Sequence, residues 1–270
     1  MNKTQHISSF ISLIVPAFCQ EKTIQKDVRQ IQKVMDTITK NYEVIIVVDG
    51  YIDKTVEQVK KIKSRKIKVV GYAHNHGKGY AVRYGMAKAR GNLIAFIDAG
   101  MDLHPRGLQQ MIQRIQDEKL DIVIGSKLHP DSNVHYPWQR RVLSWGYRTM
   151  VKMLFSLSIR DTQVGLKLFR RKVLEDVLPR LLVKKFAFDI EILAVANYLG
   201  YTKIEESPVD LRFNNWSSIT SKNFWKAIYD ISWDTVAVYY RLKIMHYYDD
   251  KSKRKWRYDE ELNFRINVTN

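Results

Sequence analysis

The chain has 270 residues, of which 45% are apolar and 27% charged, a composition typical of a soluble globular protein with a full hydrophobic core. Its 45 lysines and arginines outnumber its 28 acids and give a net charge of +17, which favours an anionic partner: a phosphate compound, an anionic membrane surface or nucleic acid. Cys19 is the only cysteine. This excludes an internal disulfide and a cysteine zinc site, and it suits a reducing, cytoplasmic compartment.

Short apolar runs alternate with helical patterns through the first half of the chain. The runs predict strands at 11–17, 42–48, 67–73, 93–98 and 120–126. The helical patterns fall at 22–39, 52–64, 75–91 and 105–118. Strands that alternate with helices predict an α/β fold with a mostly parallel sheet covered on both faces.

Neither a membrane-spanning helix nor a signal peptide is expected. The sequence has no run of 18 apolar residues, the length that a spanning helix needs. The apolar segment 7–17 contains Pro16 and leads directly into the α/β pattern, so we interpret it as the first strand.

The second half of the chain is more basic. Residues 139–172 hold nine lysines and arginines against one acid, Asp161, and this excess favours anion binding. Beyond them, 164–170 and 201–213 predict strands, and 186–200 predicts a helix that ends at Gly200.

The segment 214–270 differs in composition, so we predict two parts: a domain at 1–213 and a C-terminal extension of amphipathic helices at 214–270. An aromatic-rich helical pattern around residue 231 precedes the basic cluster 251–257. Two interpretations stay open. The extension lies in an anionic membrane interface, or its helix packs on the domain and leaves a solvated tail.

The stretch IAFIDAGMD at 94–102 is the first candidate site. Asp98 follows a buried strand, and Asp102 comes four residues later. Open α/β sheets bind ligands at the carboxyl ends of their strands, and carboxylate oxygens suit a hard divalent cation that arrives with substrate phosphates. The alternative is a plain loop in which Asp98 caps the helix that starts near Pro105.

Further motifs place this stretch in a family. In chain order they are VPAFCQEKTI (15–24), VVDGYIDKT (47–55), NHGKGYAVRYGMAKARG (75–91), IDAGMDLHP (97–105), IGSK (124–127), RRVLS (140–144) and DTQVGLKLFRR (161–171). Together they resemble family 2 glycosyltransferases of the GT-A (Rossmann-like) fold, specifically the dolichyl- and polyprenyl-phosphate mannose and glucose synthases.

The resemblance implies inverting transfer of mannose or glucose from a GDP- or UDP-linked sugar to a polyprenyl phosphate, with Mg²⁺ or Mn²⁺ as cofactor. It implies a metal site at Asp98 and Asp102. The expected nucleotide-binding residues are Pro16, Ala17, Glu21, Asp49, Lys78, Asp98 and Ala99. The expected acceptor-phosphate residues are Lys127, Arg140, Arg141, Ser144 and Arg212. Asp98, Asp102, Arg140 and Arg141 are the expected catalytic residues.

The expected partners are therefore the nucleotide sugar, the lipid-linked phosphate and an anionic membrane surface at which the protein associates peripherally. Nucleic acid is not expected, because the basic residues accompany nucleotide-sugar motifs. A phosphate acceptor is already largely a dianion at neutral pH, since its second pKa is about 6, so no strong general base is required.

Two other functions stay open. A sugar-hydroxyl acceptor would need a carboxylate base, for which Asp189 or Glu191 are the candidates. A non-catalytic nucleotide-binding relative is suggested by departures from the family pattern: Val48 stands at the first Asp of the D-D-G motif, and Gly100 stands at the second Asp of the D-x-D motif.

Overall fold

The computed structural model describes residues 9–135, 138–155, 157–212, 224–250, 255–260, 262 and 264–268. Its strands are β1 (Ile11–Ala17), β2 (Tyr42–Asp49), β3 (Ile67–Tyr72), β4 (Leu93–Ile97), β5 (Ile122–Ser126), β6 (Asn133–His135), β7 (Leu166–Arg170), β8 (Ile204–Pro208), β9 (Asp210–Arg212), β10 (Lys255–Asp259) and β11 (Phe264–Val268). Its α-helices are α1 (Ile24–Ile38), α2 (Thr55–Lys60), α3 (Lys78–Ala87), α4 (Gly107–Asp117), α5 (Trp138–Phe155), α6 (Arg171–Val177), α7 (Phe188–Tyr198) and α8 (Phe224–Tyr239).

Seven strands form one sheet in the order β3-β2-β1-β4-β7-β5-β8. The predicted mostly parallel sheet is confirmed. Only β7 runs antiparallel, and it lies between β4 and β5. The final strand predicted at 201–213 is two strands, β8 and β9, and β9 pairs with β6 outside the main sheet.

The sheet is buried on both faces because alternate residues of each strand point to opposite sides. Ile14, Ile45 and Phe96 belong to the cluster on the α3 and α7 side. Leu13 and Val44 belong to the cluster on the α1 and α4 side. The result is a three-layer α/β/α arrangement. The polar side chains of the candidate site lie at the ends of its strands.

A buried carboxylate ties three elements together at the amino end of β2. Glu43 accepts hydrogen bonds from the Ser12 hydroxyl at 2.8 Å, the Lys68 ammonium at 2.8 Å and the Arg90 backbone N–H at 2.9 Å. Burial alone raises the pKa of Glu43, but these partners outweigh it and the pKa is lowered. Glu43 is thus stabilised as an anion at the end of the sheet opposite the candidate site.

Helix α5 was not predicted as an element. It covers the first half of the basic segment 139–172 and packs against α8, where the Tyr147 and Thr235 hydroxyls lie 2.8 Å apart. Its period of 3.6 was hidden by exposed apolar side chains, since Trp145 and Met153 are 65% and 78% exposed.

The prediction of helices throughout 214–270 requires correction. α8 is followed by a π-helical turn (Tyr240–Ile244) and then by a hairpin of β10 and β11. Residues 255–259 alternate basic or acidic with aromatic side chains, a period-2 pattern that suits a strand, and the local charge run concealed it. Residues 251–254 of the predicted basic cluster lie outside the described residues.

Helix α8 has one face buried against the domain and one exposed face, and whether the exposed face meets a membrane stays a prediction. Val238 and, beyond the helix, Leu242 and Tyr248 are buried in the core. Tyr229 and Trp233 are 66% and 63% exposed. Within the described part of the chain, no helix combines the length and apolarity needed to cross a bilayer.

Candidate active site

The carboxyl ends of β1, β2 and β4 meet in a cavity of about 690 Å³. These strands are parallel neighbours, so the residues that end them lie side by side. The cavity is lined by six of the seven residues predicted to bind the nucleotide: Pro16, Ala17, Asp49, Lys78, Asp98 and Ala99. Asp102, the second predicted metal ligand, lines it as well.

Glu21 is the predicted nucleotide residue that the structure does not bring to this cavity. Its carboxylate accepts the Lys54 backbone N–H at 3.1 Å, and its own N–H donates to Asp53 at 3.1 Å. Glu21 therefore joins the turn before α1 to the turn before α2. Its neighbour Gln20 lines the cavity, and nucleotide binding by Glu21 itself stays a prediction.

Asp49 holds the glycine-rich loop at the start of α3. Its carboxylate accepts hydrogen bonds from the Tyr72 hydroxyl (2.9 Å), the Asn75 side-chain amide (3.0 Å) and the backbone N–H groups of His76 (2.8 Å) and Gly77 (3.0 Å). These four bonds use about all the acceptor positions of a carboxylate. The structure thus gives Asp49 a role in holding this loop, and its predicted contact with a base or ribose stays a prediction.

Gly77 is required where it stands. Its φ is +100°, and a Cβ there would lie 2.7 Å from the Lys184 carbonyl oxygen. The Tyr80 N–H donates to this same oxygen at 3.0 Å. The loop before α7 is thus fixed against the glycine-rich loop, and it brings Lys185 and Phe186 to the cavity.

Asp98 is positioned by Gly165, the residue directly before β7. Its backbone N–H donates to the Gly165 carbonyl at 2.9 Å. A Cβ at Gly165 would lie 1.8 Å from Asp98 Oδ2, so the carboxylate occupies the space that only glycine leaves free. The following turn is tight: Gly100 and Met101 have φ of +94° and +58°.

Four charged side chains of alternating sign form a largely buried row, called the relay below: Asp98, Lys78, Asp189 and Lys167. The Lys78 ammonium lies 2.9 Å from Asp98 Oδ1 and 3.1 Å from Asp189 Oδ2. The Lys167 ammonium donates to Asp189 Oδ1 and, at 2.6 Å, to the Val164 carbonyl. Lys167 is 0% exposed and Asp189 1%.

The pKa values of the relay follow from this pairing. Burial raises the pKa of Asp189, but Lys167 and Lys78 outweigh it and the pKa is lowered. Burial lowers the pKa of Lys78, but Asp189 and Asp98 outweigh it and the pKa is raised. Asp189 is therefore an anion held between two cations. It does not line the cavity described above.

The second candidate base, Glu191, lies away from the cleft. It is fully buried and accepts the backbone N–H of Val183 at 2.8 Å and the Tyr248 hydroxyl at 2.7 Å. Burial raises its pKa, but it lines neither of the two large cavities described in this section. Neither carboxylate fits the base that a sugar-hydroxyl acceptor would need.

A second cavity of about 780 Å³ adjoins the first, and Asp98, Ala99 and Asp102 line both. Its walls come largely from apolar side chains of α5 and α8, including Trp145, Met150, Ile228 and Ile231. Lys127 and Ser144, two of the predicted acceptor residues, also line it. The Lys127 ammonium lies 3.3 Å from buried Asp161.

Arg140 and Arg141 lie in the first turn of α5 and Arg212 ends β9, but their side chains fall outside the described part of the structure. Arg148, which the sequence analysis missed, lines the second cavity. It follows Ser144 by four residues on the same helix, so recognising α5 from its period would have found it.

α8 closes both cavities. Asp230 and Asp234 reach the first cavity, Ile228 and Ser232 the second, and Ile231 both. The sequence carried a signal for this arrangement, because an acidic pair at i, i+4 beside an apolar stripe marks two flanks of one helix. Only the tertiary structure shows what those flanks face.

The residues present fit a divalent cation. Asp98 Oδ1 is buried and, although the Lys78 ammonium lies 2.9 Å away, it accepts no hydrogen bond of suitable geometry from the described residues. The first cavity is lined by five aspartates against two lysines, so a diphosphate would be repelled unless a cation joined it. Mg²⁺ and related ions are held by one or two carboxylates together with substrate phosphates, and Asp98 and Asp102 supply such a pair.

A mostly parallel sheet with this carboxylate pair after its fourth strand and a glycine-rich loop beside it defines the GT-A class of α/β transferases. The sequence profile described as "Glycosyl transferase family 2" matches residues 12–178, well over half of the chain. The chain therefore belongs to glycosyltransferase family 2, and the protein is a glycosyltransferase.

Sequence relatives agree with this assignment. The dolichyl-phosphate beta-glucosyltransferase of Drosophila melanogaster is 34% identical, over 80% of this chain and 70% of the relative. The Homo sapiens protein of that name is 29% identical, with the same coverage.

The solved structure of glucosyl-3-phosphoglycerate synthase from Mycobacterium tuberculosis with phosphoglyceric acid superposes with a TM-score of 0.66. It is 19% identical, over 93% of this chain and 85% of that one. A complex of that synthase with Mn²⁺, UDP and glucosyl-3-phosphoglycerate has a TM-score of 0.65 at 17% identity, over 97% and 87% of the two chains. These likenesses confirm the predicted GT-A fold.

Proposed function

We propose that this protein transfers glucose from UDP-glucose to a polyprenyl phosphate with inversion at the anomeric carbon. The observation that carries the proposal is the pair of adjoining cavities that share Asp98, Ala99 and Asp102. One has the glycine-rich loop and strand ends expected of a nucleotide site. The other is largely apolar and holds Lys127 and Arg148, as a lipid with a phosphate head requires.

The names of the relatives support the choice of glucose and a lipid phosphate, since several are dolichyl-phosphate beta-glucosyltransferases. The UDP in the related synthase complex supports uracil as the base. GDP-mannose is the competing donor, because mannose synthases share the motifs described above.

Direct displacement fits the chemistry of the site. The acceptor phosphate is largely a dianion at neutral pH and needs no base, in agreement with the roles of Asp189 and Glu191. Its oxygen would form the bond to the anomeric carbon as the bond to the nucleoside diphosphate breaks. The two anions meet across Asp98 and Asp102, so inversion follows from their opposite approach.

Asp98 and Asp102 would hold Mg²⁺ or Mn²⁺, which when bound neutralises charge on the leaving diphosphate. Arg140, Arg141 and Arg212 remain proposed partners of the acceptor phosphate, together with Lys127 and Ser144. A charged hydrogen bond of this kind is worth about 1.5–3 kcal/mol. Its loss raises the acceptor's KM with little effect on nucleotide binding.

We also propose that the protein associates peripherally with anionic membranes through 222–257, a part of the C-terminal extension 214–270 that follows a catalytic domain at 1–213. Four exposed residues of α8 and the turn after it form an apolar stripe, in which all but Val236 are aromatic: Tyr229, Trp233, Val236 and Tyr240. Trp145, which is 65% exposed, lines the second cavity, which we call the acceptor cavity. Aromatic side chains of this type favour the bilayer interface, so the mouth of the cavity would open where a lipid phosphate resides.

The experiment is a transfer assay with UDP-glucose or GDP-mannose as donor and polyprenyl phosphate, free polyprenol or 3-phosphoglycerate as acceptor. We expect a β-linked glucosyl product only from UDP-glucose and polyprenyl phosphate. Equal transfer to polyprenol would remove the phosphate's role. Transfer to 3-phosphoglycerate alone would replace the lipid with a small phosphorylated acid.

A further inference from the structure

Asp98 has two cationic partners that it cannot bind at the same time. It is the proposed metal ligand, and it is also the carboxylate that the Lys78 ammonium contacts. We propose that Lys78 competes with the divalent cation for Asp98, so that metal and nucleotide bind cooperatively, and that Asp189 and Lys167 are positioning residues that hold Lys78 in reach of both. The inference rests on the donor half of the proposed function and is independent of the acceptor.

The geometry places Lys78 directly on the metal-facing oxygens. Its Nζ lies 2.9 Å from Asp98 Oδ1 and 3.0 Å from Oδ2, and only the Oδ2 contact has hydrogen-bond geometry. A cation bound to Asp98 would therefore meet an ammonium group within van der Waals range of the same two oxygens. Like charges at that separation repel, so one of the two must yield.

Lys78 can leave Asp98 and remain paired, because its ammonium also contacts Asp189. Asp189 Oδ2 lies 3.1 Å from Nζ, and the carboxylate is itself fixed by fully buried Lys167. Asp98 is the more exposed partner, with 40% of its side chain accessible against 2% for Asp189. A small rotation of the lysine stem would release Asp98 while the ion pair with Asp189 persists.

A nucleoside diphosphate supplies the second reason for the exchange. Lys78 lines the same cavity as the strand ends, so its released ammonium would meet the diphosphate. Binding of metal frees Lys78 for the diphosphate, and binding of the diphosphate draws Lys78 from Asp98. By linkage the two ligands must raise each other's affinity by one common factor.

The test measures Mn²⁺ binding by electron paramagnetic resonance of the free ion, with and without UDP. In the wild-type protein we expect UDP to tighten Mn²⁺ binding at least about tenfold. Lys78→Met and Lys78→Gln should bind Mn²⁺ alone about tenfold more tightly than the wild type and show a smaller UDP effect. A lysine with a merely structural role would give weaker binding when removed.

Lys185→Met is the matched control, because Lys185 lines the same cavity and carries the same charge. It should tighten Mn²⁺ binding much less than the Lys78 variants do. Asp189→Asn should have the opposite effect and weaken binding of Mn²⁺ alone, since Lys78 would then pair with Asp98 only. Circular dichroism establishes that each variant is folded.

Two results would overturn the inference. One is Mn²⁺ affinity in both Lys78 variants no higher than in Lys185→Met. The other is a wild-type Mn²⁺ affinity that UDP does not change, or no Mn²⁺ binding at all. Failure of the proposed function is a separate result, namely absence of glucosyl transfer to polyprenyl phosphate while the Mn²⁺ and UDP coupling persists.

Discussion

Gly165→Ala should disable the proposed donor site by displacing one carboxylate, although Gly165 lines only the second cavity and not the first. A Cβ at this position would lie 1.8 Å from Asp98 Oδ2 and 2.2 Å from Cγ. To reach even tight contact the carboxylate must retreat by more than about 1 Å, and a displacement of that size in a reacting site can cost about a hundredfold.

The expected magnitude follows from the contacts that Asp98 would lose. A charged hydrogen bond contributes about 1.5–3 kcal/mol, and each 1.4 kcal/mol is about tenfold in affinity. We therefore expect affinity for UDP in the presence of Mn²⁺ to fall roughly ten- to hundredfold. The free energy of unfolding should drop by about 1–3 kcal/mol, as for other overpacked sites.

Isothermal titration calorimetry with UDP and Mn²⁺ measures the binding loss, and thermal denaturation measures stability. Gly146→Ala is the matched control: Gly146 lines the acceptor cavity, and a Cβ there meets nothing within 4 Å. It should bind UDP as the wild type does.

A double-mutant cycle decides the cause. If Gly165→Ala acts through Asp98, adding it to Asp98→Ala changes binding no further. Wild-type binding by Gly165→Ala, or full additivity of the two substitutions, would refute the reasoning.

Three further predictions follow from other parts of the molecule. Gly100→Ala should lower stability by about 1 kcal/mol, because φ is +94° there. Gly100→Asp should bind Mn²⁺ more tightly than Gly100→Ala if its carboxylate reaches the same cation as Asp102, and calorimetry on the pair separates strain from ligation. Tyr229→Ala with Trp233→Ala should reduce flotation with anionic vesicles severalfold at unchanged melting temperature, since both side chains are over 60% exposed; unaltered flotation would contradict the membrane proposal. Glu43 has a lowered pKa in the folded protein, so its stabilisation is present above the unfolded pKa of about 4.3 and is lost as pH falls through the folded value. The melting-temperature difference between wild type and Glu43→Gln should therefore shrink from pH 6 to pH 3, and a constant difference would exclude this linkage.

The sequence by itself determined the architecture of the first 126 residues, and it predicted residues that meet at the first cavity. Apolar runs such as 42–48 and the helical face of 22–39 are local patterns, and each depends only on which side chains recur along one element. Motif order then placed Asp98, Lys78 and the glycine-rich loop together, because parallel strands bring their carboxyl ends to one edge.

The tertiary structure alone decided what those side chains contact. Asp189 is separated from Lys78 by 111 residues and from Lys167 by 22, and no local pattern encodes that pairing. The same holds for the four hydrogen bonds that commit Asp49 to the loop.

The same limit applies to space and direction. The packing of elements distant in sequence determines three further features: Gly165 leaves room for Asp98, β7 runs antiparallel between β4 and β5, and α8 lines both cavities. Burial then keeps the charged side chains of the relay paired, because an unpaired ion inside the protein costs several kcal/mol.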